Sequence, residues 1–241
     1  MRWTAAVLAS VAVTSVACAD LISVGAALDN TLYESTAGSL SNGQGAYVFS
    51  GKTSQGLIRR ALFQFDLSLI PAGSTITSAT LTLHSDQAQG AATYTLHRLL
   101  ATWGEGTSDA GAPGGAGTDA TTGDATWLHR FHATSTWTNA GGDFVASASA
   151  SKIVAGAGTY SWSGTGLAQD VQTWLDGGAT NAGWALLGNE ATAGSAVRFG
   201  SSEHATASMR PELTIEYTPV PAPGAVGLGA LALLGGLRRR R

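Results

Sequence analysis

The chain has 241 residues, with 13 Lys and Arg against 16 Asp and Glu, and its formal net charge is −3 at pH 7. Five of the basic residues lie at the two ends, at positions 2 and 238–241, so residues 20–218 carry 8 basic against 16 acidic groups, a net charge of −8. An acidic body argues against nucleic acid as a partner, because phosphate binding needs a basic surface. The single cysteine, Cys18, excludes an internal disulfide, a multi-thiolate metal site and, once the leader that contains it is removed, a cysteine nucleophile.

The N-terminus has the order of a secretory signal. Arg2 supplies a positive charge, residues 5–17 are uncharged, and Ala17-Cys18-Ala19 offers a small-residue cleavage site. The apolar run is too short to span a bilayer. A buried N-terminal helix is the alternative, but no polar face recurs at helical spacing. We therefore expect residues 1–19 to be a signal peptide that is cleaved after Ala19, and the protein to be exported.

Residues 20–218 are predicted to form one all-β domain. Period-two alternation is clearest at 58–66, where Ala61, Phe63 and Phe65 share one face, and it recurs at 79–84 and 213–218. Such alternation is typical of half-buried antiparallel strands. Further strands are predicted at 22–27, 46–50, 93–99, 160–163, 184–187 and 197–200.

One helix interrupts the strand pattern. Leu167, Val171 and Trp174 recur at helical spacing, and Gly177-Gly178 ends the segment. We expect this short helix to cap an open end of the sandwich. The Gly-, Thr- and Asp-rich segment 104–126 is predicted to be a long mobile loop.

The C-terminus has the order of a sorting tail. Residues 225–237 are uncharged, and at ~1.5 Å per residue they reach roughly 20 Å, short of the ~30 Å hydrocarbon core. A packed C-terminal helix is the alternative, which several glycines weaken. The sorting residues are Val220, Pro221, Ala222, Pro223, Arg238, Arg239, Arg240 and Arg241. With its Val-Pro-x-Pro motif, apolar helix and arginine cluster, segment 219–241 resembles the PEP-CTERM sorting signal, although Ala222 stands where that family has Glu.

This resemblance implies a route to the cell surface or extracellular matrix. It implies recognition by an exosortase-like protease, cleavage near the proline motif, and a transient membrane anchor at the C-terminus. The arginines would stay on the cytoplasmic side by the positive-inside rule.

The body resembles a DNRLRE-type domain, a group that overlaps carbohydrate-binding module family ninety-six. The order and spacing of several pieces carry the resemblance, and they are Asp29-Asn30-Thr31-Leu32-Tyr33, residues 60–71, residues 78–83, Trp103-Gly104-Glu105-Gly106, Thr126-Trp127, residues 141–144, residues 170–174 and residues 210–213. The family implies an exported, jelly-roll-like antiparallel β-sandwich, with polysaccharide binding in some members.

Flat aromatic rings are the usual platforms for sugars, because their faces match the apolar faces of pyranose rings. Trp103, Trp127 and Trp137 flank Gly-rich or polar segments and are the candidate platforms, with His129 and Arg130 beside them. Packing of these tryptophans in the core is the alternative.

Arginines supply a second kind of sugar contact. Arg59, Arg60 and Arg98 interrupt strands, and a guanidinium can pair with a uronate carboxylate. A solvated strand face, or a structural pair with Asp66 or Asp143, is the alternative for each of them.

A calcium site is a weaker hypothesis. Residues 114–119 match one GGxGxD half-repeat, and Asp109, Asp119 and Asp124 could supply carboxylate oxygens. No other cofactor is predicted.

No catalytic constellation stands out, and a GxSxG nucleophile elbow is absent from the sequence. We therefore expect a surface-sorted, non-catalytic protein that binds polysaccharide, including acidic polysaccharide, or organises extracellular matrix. A purely structural matrix or adhesion protein without a defined ligand is the alternative, followed by a polysaccharide-acting enzyme.

Overall fold

The computed structural model describes residues 18–87 and 90–220. The predicted signal segment up to Ala17 and the predicted tail from Pro221 onward lie outside the described residues. Within them, no helix is both long enough and apolar enough to cross a membrane. The predicted all-β, sandwich-like class is confirmed, with 41% of the described residues in strands and 7% in helix.

The elements follow one another in this order: β1 (Asp20–Tyr33), β2 (Leu40–Ser41), β3 (Tyr47–Lys52), β4 (Ile58–Phe65), β5 (Thr75–Ser85), β6 (Ala92–Arg98), β7 (Thr118–Asp119), β8 (His129–Phe131), β9 (Ser135–Thr136), β10 (Ala150–Val154), β11 (Gly158–Ser163), α1 (Thr165–Leu175), β12 (Trp184–Leu187), β13 (Val197–Gly200), a 3₁₀ turn (Ala207–Met209) and β14 (Glu212–Thr218).

Ten strands form one antiparallel sheet, and β1 connects its two halves. The main order is β10-β6-β12-β4-β1-β14-β5-β11, and β13 joins through β3, which pairs with β4. The first part of β1 pairs with β14 and the second part pairs with β4, with a register shift between Ala26 and Leu28. A β-bulge of this kind bends a strand, so β1 passes from one half of the sheet to the other.

The two halves pack face to face around a main core. Phe63 and Leu96 from one half lie in the same apolar cluster as Leu81 and Ile215 from the other half. Trp162 of β11 is fully buried there, and its indole N–H donates to the backbone oxygen of Tyr94 on β6 at 3.0 Å. The period-two positions predicted from the sequence therefore point into this core.

The helix α1 closes one side of this core. Leu167, Val171 and Trp174 are its buried residues, as the spacing predicts. It packs mainly against β5. The helix ends at Leu175, and Gly177 follows with φ of 71°, a conformation that glycine adopts without strain.

A second apolar layer covers the outer face of β4 and β12. It joins Leu62 and Ala185 of these strands to Leu99 and to tryptophans from the segment that follows β6. The segment 104–126 has little regular secondary structure, in line with the predicted loop, and its mobility stays a prediction. The segment is tied down by backbone hydrogen bonds, such as Ala125 N to Gly104 O at 2.7 Å, and β7 within it pairs with β2.

Candidate functional site

The three candidate platform tryptophans lie in the second apolar layer. Trp103 is 3%, Trp127 9% and Trp137 5% exposed. The indole N–H of Trp103 donates to Ala182 O at 2.9 Å, and that of Trp137 donates to Thr126 O at 3.0 Å. A sugar platform needs an exposed ring face, so the expectation that these rings form one is wrong. They pack because the outer face of β4 and β12 is itself apolar and must be covered.

His129 and Arg130 brace the same layer from the β8–β9 hairpin. His129 Nδ1 lies 3.1 Å from Thr126 Oγ1, and Arg130 Nη1 donates to Thr102 O at 2.9 Å. The Arg130 guanidinium also lies over the ring of Phe131, 5.6 Å from its centroid. The structure gives both residues loop-bracing contacts and does not join them to an exposed aromatic ring.

The predicted calcium residues do not converge. Asp124 is fully buried, and its carboxylate accepts hydrogen bonds from Thr107 N at 2.9 Å and Thr121 N at 2.7 Å. Asp109 accepts from Gly111 N at 2.8 Å, and Asp119 is exposed in β7. Among the described residues these three form no group of neighbouring ligand atoms. The half-repeat that suggested them is therefore a chance match in a Gly-rich segment.

Three of the strand arginines are held in ion pairs. Arg60 pairs with Glu190 at 2.8 Å, Arg98 with Asp170 at 3.0 Å, and Arg198 with Asp86 at 2.7 Å; these are the ion pairs in the described part of the chain. The alternative of a structural pair is thus correct for Arg60 and Arg98, but the partners expected from the sequence, Asp66 and Asp143, are wrong. Each carboxylate instead accepts hydrogen bonds from residues close to it in sequence.

Arg59 differs from the other arginines because it is buried and has no carboxylate partner in the described part of the chain. It is 4% exposed. Its Nε donates to Gly115 O at 3.3 Å and its Nη1 donates to Ile58 O at 2.9 Å, which uses only two of the five N–H donors of a guanidinium. Its guanidinium carbon lies 4.8 Å from the centroid of the Tyr33 ring. Arg59 is therefore a buried cation that has no ion-pair partner among the described residues and has guanidinium donors left free.

The pKa of Arg59 reflects this environment. Burial lowers the pKa, and Tyr33 and Glu34 partly offset that effect. Glu34 does not form an ion pair with Arg59, and its carboxylate accepts a hydrogen bond from Ile58 N at 2.6 Å. A guanidinium starts from so high a pKa that Arg59 remains a cation at neutral pH.

Arg59 lines an open pocket of about 260 Å³, which we call the Arg59 pocket. Its other walls include the ring of Phe49, the side chains of Thr53 and Ser54, and Gln87. A cation, an aromatic ring, hydroxyls and an amide thus meet in one depression. The volume lies just below the ~300 Å³ at which small-molecule sites begin, which suits a single sugar ring or the end of a chain.

A second site consists of three carboxylates, Asp29, Glu105 and Glu203, which we call the carboxylate cluster. One oxygen of each lies within 4.8 Å of the oxygens of the other two, and no other group of three or more potential metal ligands occurs among the described residues. Asp29 is on β1 and is 1% exposed, whereas the two glutamates come from loops.

The environment of the carboxylate cluster disfavours negative charge. Burial and the charge of Glu203 raise the pKa of Asp29 well above its ordinary value. Burial also raises the pKa of Glu105 to about 7, and the charge of Glu203 adds to this. Asp29 and Glu105 are thus placed where a bound cation would offset both burial and repulsion.

Sequence reasoning missed the carboxylate cluster as a site. Asp29 and Glu105 were part of the family resemblance, but no local spacing joins them to Glu203, since the three residues lie far apart in the chain. They meet because the loops that carry the two glutamates form hydrogen bonds with Asp29 and Asn30 on β1.

No protein-family model and no curated protein matches this sequence. The DNRLRE-type and PEP-CTERM resemblances therefore stay predictions.

Proposed function

We propose that this protein is an exported, non-catalytic β-sandwich that binds acidic polysaccharide at the Arg59 pocket and so helps to organise extracellular matrix. The observation that carries the proposal is the unpaired, buried guanidinium of Arg59. Buried charges in proteins are normally paired. A guanidinium with free donors fits a carboxylate or sulfate, because its planar fork can make two parallel hydrogen bonds to either.

The other walls of the pocket support a sugar as the carrier of that anion. Thr53 and Gln87 offer partners for hydroxyl groups, whereas Phe49, at 7% exposed, contributes only a small apolar part of the wall. Lys52 precedes Thr53 and has no carboxylate partner within the described ranges, so it adds positive charge near the rim. On a body with a net charge of −8, derived from 8 basic and 16 acidic residues, this is a local exception.

Affinity electrophoresis of the purified protein in gels that contain a polyuronate, a sulfated galactan or a neutral glucan tests the proposal. We expect retardation by an anionic polymer, and a loss of at least tenfold in affinity for Arg59→Gln. Arg210→Gln is the matched control, since Arg210 is exposed. Arg59→Lys keeps the charge but loses the fork, so we expect intermediate affinity.

Removal of a buried arginine can also unfold the protein. Ser54→Tyr avoids this problem, because Ser54 is exposed at the pocket wall and a larger ring there would block entry without disturbing the core. Loss of retardation in a folded Ser54→Tyr variant supports the Arg59 pocket. Unchanged retardation in both this variant and Arg59→Gln would place binding elsewhere.

A purely structural matrix protein is the second candidate function. The burial of Trp103, Trp127 and Trp137 favours it, because it removes the most familiar sugar platforms from the surface. This candidate predicts no retardation by any polymer, anionic or neutral, for the folded wild-type protein.

A further inference from the structure

No basic side chain among the described residues forms an ion pair with the carboxylate cluster. In the described part of the chain, the ion pairs are those of Arg60, Arg98 and Arg198, and none of them involves the cluster. His204 follows Glu203 directly, but its Nδ1 lies 3.1 Å from Thr206 N and its ring packs edge-on against Tyr47, at 5.1 Å between centroids. The negative charge of the three carboxylates is therefore not offset by an ion pair with a described basic side chain.

An independent observation points to a missing ligand. Glu203 Oε2 is completely enclosed and has no hydrogen-bond partner; among the described residues, only one other side-chain atom, Trp174 Nε1, shares this condition. The other oxygen of Glu203 accepts from Ser202 Oγ at 2.8 Å. Buried polar atoms almost always have a partner, and one that lacks it calls for an unseen ion or water. Because the Glu203 carboxylate also has an oxygen within 4.8 Å of oxygens of Asp29 and Glu105, a cation is the fitting partner.

The surrounding chain holds the carboxylates in place. Asp29 N donates to Glu105 Oε1 at 2.8 Å, and Ser202 N donates to Asp29 Oδ2 at 2.7 Å. Asn30 Nδ2 donates to Glu105 O at 2.8 Å, which fixes the backbone that carries Glu105. A Cβ at Gly43 would lie 2.0 Å from the same carbonyl oxygen, so glycine is needed for this close approach. These bonds fix the position of the carboxylates before any ion arrives.

We infer that Asp29, Glu105 and Glu203 bind one Ca²⁺ ion, which ties β1 to the loop after Trp103 and to the loop after β13. Carboxylate oxygens are the ligands of a hard cation, and the absence of His and Cys from the cluster argues against zinc. Calcium suits the cluster better than magnesium, because calcium tolerates irregular oxygen shells whereas magnesium demands near-ideal octahedral geometry. The site stands independently of the proposed polysaccharide binding, since none of its residues lines the Arg59 pocket.

Calorimetric titration of the chelator-treated full-length protein with CaCl₂, and separately with MgCl₂, tests the inference. We expect one calcium per chain, with a dissociation constant on the order of 10⁻⁴ M or tighter and at least tenfold weaker binding of magnesium. Calcium at 100 times its dissociation constant should stabilise the fold through preferential binding, which appears as a higher melting temperature.

Glu203→Gln is the decisive variant, because it keeps the shape of the side chain and removes one negative charge. We expect it to fold, to bind calcium at least tenfold more weakly and to lose the thermal shift. The matched control is Glu212→Gln, at an exposed position on β14, which should behave as the wild type. Terbium offers a second readout, since Trp103 lies two residues before Glu105 and can sensitise its luminescence.

Two results would overturn the inference. One is the absence of calcium binding, and of any melting shift, at millimolar calcium in the folded wild type. The other is a shift that persists unchanged in Glu203→Gln. Neither result bears on retardation by anionic polymers, so failure of the calcium site and failure of the proposed function can be told apart.

Discussion

Replacement of Trp103 by alanine would remove one of the largest side chains of the second apolar layer. The side chain is 3% exposed, and its N–H donates to Ala182 O. A buried tryptophan contributes about 150–250 Å² of buried surface, and at about 25 cal/mol per Å² this corresponds to roughly 4–6 kcal/mol as an upper bound. Alanine keeps a small part of that burial, so we expect a loss of about 3–5 kcal/mol in the free energy of unfolding.

Urea unfolding followed by far-ultraviolet circular dichroism measures this loss. Leu100→Ala is the control, because Leu100 is 59% exposed and its removal should cost less than about 0.5 kcal/mol. Trp103→Phe keeps most of the apolar contact and leaves Ala182 O without its donor, so we expect an intermediate loss of about 1–3 kcal/mol. If Trp103→Ala were as stable as Leu100→Ala but bound polysaccharide more weakly, the assignment of Trp103 to the core would be refuted.

Two further predictions concern the backbone and pH. In Gly183→Ala, at φ of 76°, the new Cβ would lie 1.9 Å from Phe63 O, so we expect urea unfolding to show a loss of at least about 2 kcal/mol in the free energy of unfolding. Gly177→Ala is the control, because Gly177 has a similar φ of 71° but open space around it, and it should lose only about 1 kcal/mol. Asp86→Asn should cost about 0.2–1 kcal/mol at pH 7, because its ion pair with Arg198 is partly exposed. The hydrogen bond from Arg198 lowers the pKa of Asp86. The stabilisation that Asp86 contributes is therefore present above its unfolded pKa of about 4 and is lost as the pH falls through its folded pKa. The unfolding curves of wild type and variant should converge near pH 2.

Much of the fold follows from period-two alternation. Ala61, Phe63 and Phe65 share one face of β4 and lie in the main core as predicted. By the same alternation Leu62 lies on the opposite face of the strand, and it is fully buried there by the second apolar layer. Periodicity shows which residues share a face of a strand, but it does not show what covers that face. This is why the three tryptophans beside Gly-rich or polar segments were predicted to be exposed platforms and proved to be core residues.

The candidate sites were harder to predict than the strands. Arg59 and Arg60 are adjacent in sequence and belong to the same strand pattern, yet Arg60 is paired with Glu190 and Arg59 is not paired with any described carboxylate. Which of two neighbouring arginines finds a partner depends on a loop more than a hundred residues away. The same holds for Glu203, whose neighbours in space, Asp29 and Glu105, come from the first half of the chain.

The pairing of β1 with β14 also has a consequence for biogenesis. The strand nearest the N-terminus of the body lies beside the last one, with Asp20 opposite Tyr217. Contacts this distant in sequence form slowly, because the entropy cost of closing the long loop comes before strand pairing stabilises the structure. If the chain is exported from its N-terminus, the sandwich cannot close until nearly all of it has crossed, so the polypeptide stays unfolded and transport-competent until the end of its passage.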